Sequence, residues 1–325
     1  MAAIAEQTVT FDDVIAAAGR IEALARKTPV MTSHLFDEAS GVTTYFKCEN
    51  LQSGGAFKIR GALNFLMSMS EAERKRGVVT FSSGNHAQAV AMAAAHLGVE
   101  ATIVMPTDAP KSKVESTRRF QPKIIFFDRF KESREEIAGR IAGETGMTVL
   151  PSYDHPWIVA GQGTAALELM REQLELDALA VCLGGGGLLS GSAIVARALR
   201  PQTKVFGVEP ELANDWHLSL LAGKRVAINP PSTIADGLRT NIPGEVTFPI
   251  VRALAQGVLL VTEDEIRHTM RFLLSRMKIL TEPSGAVGAA AVLHRKLPAG
   301  VKSVGVIISG GNVDMDMLAE ICAHG

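Results

Sequence analysis

Cysteine is scarce in this chain of 325 residues: Cys48, Cys182 and Cys322 are far apart and odd in number. They give neither a disulfide framework nor a CxxC metal pair, which fits a reducing cytoplasm. An excess of charge of either sign is also missing, because 33 basic and 34 acidic side chains leave a formal net charge of −1. No long-range field therefore gathers nucleic acid or an anionic membrane. The basic cluster Glu73-Arg74-Lys75-Arg76 contains an acid and reads as a solvated face. No apolar run approaches the roughly 20 residues that span a bilayer. The opening MAAIAEQTVTFDDV meets acids before any signal-like stretch, so a soluble intracellular protein is expected.

What is present is a core-forming 47% of hydrophobic residues, enough for two lobes, and one recurring pattern. A β-branched run, a turn of small residues and an alanine-rich helix follow one another repeatedly. VVTFSSGNHAQAVAMAAAHLG predicts a strand ending near Phe81 and a helix from about Asn85. YFKCEN, ATIVMP, KIIFFD, TVLP, LAVCL, KVFGVEP and SVGVIIS read as further strands. The fold class expected is α/β, with mostly parallel, twisted open sheets covered by helices on both faces. Thr10 can cap a first helix over Phe11–Arg26, and NPPSTIADGLRTNIPGEVTFP reads as an ordered irregular excursion. Ligands of such sheets sit beyond the carboxyl ends of the strands, where SSGNH, GGGG and SGG fall.

Gly184, Gly185, Gly186 and Gly187 lie between a strand and a helix. Their backbone N–H groups can turn inward, and the helix adds unsatisfied amides and the positive end of its dipole. A phosphate monoester suits that cradle, although a tight turn without ligand has the same signature. No Gly-Lys-Ser/Thr follows, so this is not a nucleotide P-loop, and a dinucleotide fingerprint fits poorly. In SGGAFKIRGALNF, Lys58 stands between Phe57 and Ile59 after a glycine turn. Desolvation there would lower its pKa and leave a partly neutral amine for an aldehyde. A lysine snorkelling at a helix edge is the other reading. Phosphate anchor and amine together suggest pyridoxal phosphate.

SGGAFKIRGA, SSGNHAQA, AGQGT, GGGGLLSG and SGGNVD occur in that order across nearly the whole chain. With these motifs the sequence resembles the fold-type II pyridoxal-phosphate enzymes, whose fold is tryptophan synthase β-like. It is most similar to the serine/threonine dehydratase and serine racemase group. The resemblance implies a two-lobed molecule, with a large cofactor-binding domain of residues 1–76 plus 155–325 and a small substrate-side domain of 77–154. It implies that Lys58 carries the cofactor and removes the substrate's α-proton. Phe57 would pack near the ring, Asn85 bond its phenolic oxygen, and Ser309 face its pyridine nitrogen. Gly184–Gly187, Leu188 and Gly237 would complete the cofactor site. Ser82, Ser83, Gly84, Asn85, His86 and Arg134 would bind the substrate, with Ser83 positioned to return a proton on the opposite face. Arg134 equally suits a solvated helix face, and His96, His217 and His268 read as ordinary surface or helix residues. Glu209, the carbonyl of Ala213 and Asp215 match a divalent-cation site suited to Mg²⁺, Ca²⁺ or Mn²⁺.

The activity implied is β-elimination from a small 3-hydroxy amino acid, L-threonine or L-serine first, giving a 2-oxo acid and ammonium. Serine racemisation, or dehydration or racemisation of 3-hydroxyaspartate, is the alternative, and a non-catalytic amino-acid-binding protein on the same fold is a third. The expected partners are an amino-acid substrate and a second copy, as homodimer or homotetramer, with no nucleic acid or membrane. The chain ends soon after SGGNVD, so no appended regulatory domain is expected. The glycine pair Gly54-Gly55 suggests a roomier substrate loop, and PSYDHP places Tyr153 and Asp154 beside the cofactor.

Overall fold

The computed structural model describes residues 9–109 and 111–323. Residues 1–8, which carry most of the signal-sequence argument, and the final two residues lie outside the described part. Two sheets organise the chain. The larger contains β1 (Val30–Met31), β2 (Thr43–Cys48), β7 (Ala178–Cys182), β8 (Lys204–Pro210), β9 (Gly257–Val261) and β10 (Ser303–Ile308), in the order β1-β2-β10-β7-β8-β9. The smaller contains β3 (Val78–Phe81), β4 (Ala101–Pro106), β5 (Lys123–Phe127) and β6 (Thr148–Val149), in the order β5-β4-β3-β6. Every pairing is parallel except β1 with β2. This is the mixed α/β architecture that the recurring strand–turn–helix pattern predicts.

Alternation along the strands builds a core on each face of the small sheet. Val78, Ile103 and Met105 face one cluster, while Val79 and Val104 face the other. The first cluster also takes Ile59, Leu63 and Leu66, so the helix Lys58–Ser68 packs beneath the small sheet. The large sheet is buried on both faces, with Val304, Val306, Ile307 and Ile308 of β10 fully enclosed. The first helix ends at Ile21, shorter than expected, and Thr10 closes its start in a capping box with Asp13.

Two residues beyond Lys58, the buried Arg60 anchors this helix. Its guanidinium donates to both carboxylate oxygens of Glu49 at 2.7 and 2.8 Å, and to both of Glu168 at 2.7 and 3.0 Å. Lys47, also buried, joins the network through Glu168 at 2.5 Å and through the carbonyl of Thr28 at 2.6 Å. Such a network fixes geometry more than it stabilises, because desolvation offsets much of the attraction. Losing one member strands the others, at a cost of roughly 3–5 kcal/mol. The start of the helix at Lys58 is thereby held rigidly.

The irregular excursion is confirmed as a loop with one short turn, Asp236–Leu238, before the helix Thr247–Leu254. Asp236 pairs with Lys113, joining the excursion to the helix Lys111–Arg118 that follows β4.

Candidate active site

Lys58 begins its helix immediately after the short bridge between Ala56 and Gly310. Its ε-amine donates to the carbonyl of Ser152 at 2.8 Å and lies 5.1 Å from the centre of the Phe57 ring. Burial pushes this amine down to about 8, against the opposing pull of Cys182 and Glu282. Phe57 is buried, and its N–H donates to the carbonyl of Ser309 at 3.0 Å. The end of β10 and the lysine turn are therefore stitched together.

That turn is tighter than its glycines suggest. Gly54 and Gly55 adopt φ of +76° and +73°, a region that favours glycine. The Gly54 carbonyl accepts from the Asn312 side chain at 2.8 Å, and the Gly55 carbonyl accepts from the amide of Gly311 at 2.9 Å. A Cβ on Gly55 would strike Asn312. The expectation of a roomier loop is corrected: the glycines serve a close approach to the last strand's end.

Beyond β7, Gly186 takes φ of +93° and opens the helix Gly187–Leu199, whose second residue, Leu188, is buried. The carbonyls of Gly184 and Gly185 are bound by the indole N–H of Trp216 and by the hydroxyl of Thr247. With these carbonyls held by side chains, the loop keeps the form an anion cradle requires. A Cβ at Gly185 would overlap the Tyr153 ring, and one at Gly186 would meet Trp216 and Thr247. Gly237 reaches the same place: its carbonyl lies 3.2 Å from a Cβ built on Gly184, and its amide donates to Ser284 at 2.9 Å. Lys58 touches residue 152 while Tyr153 covers the loop, so amine and cradle lie close together.

Ser309 is buried at the end of β10 beside Cys182, which burial pushes up to about 11 and the Ser309 hydroxyl draws back. Asn85 opens the helix Asn85–Leu97, donates to Glu282 at 2.6 Å and accepts from Asn312 at 2.8 Å. Glu282 was missed in the sequence, although a carboxylate directly before a proline-started helix in a small-residue run was a usable signal. Burial, together with Asp236, pushes it up to about 8. The Asp154 carboxylate accepts from the amides of Glu245, Val246 and Thr247 at 2.7, 2.8 and 3.2 Å. It caps the loop that supports the glycine turn.

Ser82 and Ser83, at the end of β3, line a cavity of about 320 Å³ with Arg129, Glu132, Arg134 and Glu135. Gly84 caps the following helix, its amide donating to Ser82 at 3.2 Å. Arg134 is exposed; it pairs with Glu135 at 2.8 Å and stacks 5.1 Å from the Phe81 ring. His86 is not turned to this cavity's polar rim. Its Nε2 lies 3.0 Å from Thr80 Oγ1, and burial and the nearby Lys58 push it down to about 3. It is a neutral buried imidazole.

Of the cation candidates, Glu209 and Asp215 lie close enough for their carboxylates to repel each other. Glu209 accepts from the amides of Trp216 and His217 at 3.1 and 3.0 Å. Both Asp215 oxygens and the Thr240 hydroxyl are buried with no hydrogen-bond partner. Burial and the facing carboxylates push Glu209 well up, and burial raises Asp215 to about 7. The unpartnered Asp215 oxygens beside the repelling Glu209 carboxylate, with the Ala213 turn between them in sequence, suit a hard divalent cation. No three Asp, Glu, His or Cys groups converge among the described residues, so water would have to complete the shell. Trp216 spans this pair and the glycine loop.

The chain is similar to several known proteins along most of its length. A family model described as "Pyridoxal-phosphate dependent enzyme" matches residues 21–310. An L-threo-3-hydroxyaspartate ammonia-lyase of a Pseudomonas species is 50% identical over 315 residues, covering 97% of this chain and 99% of that protein. A serine racemase of Schizosaccharomyces pombe is 49% identical over 315 residues, covering 97% and 98%. The crystal structure of serine racemase from Dictyostelium discoideum superposes with a TM-score of 0.90 at 44% identity, covering 95% of this chain and 100% of that one.

Proposed function

Because the chain belongs to the pyridoxal-phosphate-dependent enzyme family, we propose that it is an ammonia-lyase acting on a 3-hydroxy amino acid with a second carboxylate, 3-hydroxyaspartate. This takes the acidic substrate ahead of threonine and serine. The supporting observation is that Ser82, Ser83 and Arg134 line one cavity. A threonine methyl group has no use for the guanidinium. Release of 2-oxo acid should be faster from threo-3-hydroxyaspartate than from threonine or serine. A preference for threonine would overturn the assignment.

Lys58, Asn85, Ser309 and Gly184–Gly187 fit the family's cofactor: a buried amine with a lowered pKa, a cradle with no room for any Cβ at Gly185 or Gly186, and neutral polar groups between. When bound, pyridoxal phosphate supplies an electron sink that acidifies the substrate's α-carbon. Ser82, Ser83 and the helix start at Gly84 bind the α-carboxylate with hydroxyls and amides. Arg134 holds the distal carboxylate, fixing the orientation in which Lys58 faces the α-proton. Lys58 takes that proton as a neutral amine, which its apolar, desolvated position keeps accessible near pH 8. Ser309 would meet the cofactor's ring nitrogen with a neutral hydroxyl, which would donate a hydrogen bond without protonating it and so favour loss of the β-hydroxyl.

The amine's pKa sets the pH dependence of cofactor capture by the apo-protein. Only the neutral amine reacts, so the rate should rise with pH and level off above about 8. A rate that keeps climbing toward the ordinary lysine value of 10.5 contradicts the lowered pKa.

Ser83 in the same cavity supports a second activity, racemisation by return of a proton from the face opposite Lys58. Ser83→Ala should abolish inversion while reducing elimination by only about 10–150-fold, since one hydrogen bond to a charged carboxylate is worth about 1.5–3 kcal/mol. Chiral chromatography of substrate recovered during turnover checks this, and equal loss of both activities contradicts it.

The carboxylates of Glu209 and Asp215 would hold Mg²⁺, Ca²⁺ or Mn²⁺, neutralising their repulsion and steadying Trp216 against the glycine loop. Chelation should lower the melting temperature and activity of the wild type. Asp215→Asn should remove the response to added cation while stabilising the cation-free protein. A chelator effect unchanged in this variant contradicts the assignment.

A further inference from the structure

On the side of the large lobe away from these groups, two imidazoles face each other. His268 lies on the helix Glu263–Phe272, and His294 caps the C-terminal end of Pro283–Leu293. Their Nδ1 and Nε2 atoms are 3.2 Å apart, with the rings at 68° and partly open to solvent. The His294 ring also donates to the backbone carbonyl of Glu265. The Nε2 atom of His294 is the nitrogen that faces His268. A ring nitrogen tied to a carbonyl is the usual outer support of a metal-binding histidine.

We infer that His268 and His294 form a two-imidazole site for a borderline transition-metal cation, Zn²⁺ or Cu²⁺, that clips the two helices together. Two nitrogens at about 2.0–2.1 Å from a tetrahedral metal lie about 3.4 Å apart, close to the observed separation. Imidazole nitrogens favour Zn²⁺, Ni²⁺ or Cu²⁺ over Mg²⁺, so this site and the carboxylate pair select different metals. Binding requires the proton between the two facing nitrogens to move to the far nitrogen of its own ring or to leave. Glu265 is not a third ligand, because its oxygens pair with Lys296 at 2.8 Å and with the Thr262 amide at 2.8 Å. The nearby Lys296 charge is thereby offset. Water completes the coordination shell at this exposed position.

The helix Pro283–Leu293 starts beside Glu282, Ser284 and the candidate cofactor site. Eleven residues at 1.5 Å each separate the two ends by roughly 16 Å. The clip therefore steadies the element that carries Glu282 without touching the chemistry.

The test uses untagged holoenzyme, stripped with chelator and resupplied with excess Mg²⁺ to occupy any carboxylate site. Zn²⁺ binding is measured by equilibrium dialysis and Cu²⁺ coordination by electron paramagnetic resonance. Wild type, His268→Gln, His294→Gln and the double variant are compared. The wild type should bind one more equivalent of Zn²⁺ than the double variant, and its Cu²⁺ spectrum should show two imidazole nitrogens. Each single variant should bind at least about tenfold more weakly, since even loss of an outer-shell partner costs about 10–100-fold. Melting curves in chelator provide the structural control and should be similar for all four proteins. Equal Zn²⁺ uptake by wild type and double variant, or a Cu²⁺ spectrum unaffected by the substitutions, overturns the inference. So does a destabilisation that appears fully in chelator with no metal response, which would leave an imidazole–imidazole hydrogen bond only.

Discussion

Lys58→Ala is expected to abolish release of 2-oxo acid, by at least about 10³-fold, and to remove the visible absorption of the bound cofactor. The loss should fall almost entirely on the chemistry. The lysine side chain donates one hydrogen bond, to the Ser152 carbonyl, so the variant should fold. The Arg60 network that anchors the same helix remains intact. Lys58→Arg should be equally inactive, because a guanidinium stays protonated and cannot serve as a neutral amine. Near-normal turnover in either variant would move the reacting amine elsewhere.

Arg134→Leu should change which substrate is preferred. Loss of one charge-assisted contact to a carboxylate costs about 1.5–3 kcal/mol, or roughly 10–150-fold in kcat/KM for 3-hydroxyaspartate. Arg134 is about half exposed and already paired with Glu135, so the lower end of that range is expected. Serine and threonine have no distal carboxylate and should be turned over about as before. The ratio of the two specificity constants is therefore the informative quantity. Parallel loss on all three substrates would mean that Arg134 shapes the lobe and does not recognise a second carboxylate.

Most of the architecture was legible because a buried parallel sheet imposes a local pattern. Strand β3 and the helix from Asn85 lie where VVTF and SSGNHAQA place them. The two strands without a signal are informative. β1 is a two-residue edge pairing at Val30–Met31, too short for any periodicity. β9, Gly257–Val261, is a half-buried edge strand that enters the Glu263–Phe272 helix without the small-residue turn marking the others.

At the site, the motif residues were readable because each carries its own chemistry: an amine in an apolar turn, or glycines that admit no Cβ. The supporting groups were not readable in the same way. Glu282 reaches Asn85 across 197 positions of sequence, and Asn312 reaches Gly54 across 258. Asp154 looked like a site residue from its neighbours, yet its carboxylate is taken up by three backbone amides. Such pairings depend on how two sheets are set against each other, which no local spacing encodes. Arg134 is harder still to read locally, since only the fold brings it into one cavity with Ser82 and Ser83.

Reduction of the holoenzyme with borohydride, followed by peptide mapping, tests the core of this account most directly. The pyridoxyl label should be found on the peptide containing Lys58 and on no other lysine. A label on a different lysine, or a cofactor that washes away unreduced, would contradict it.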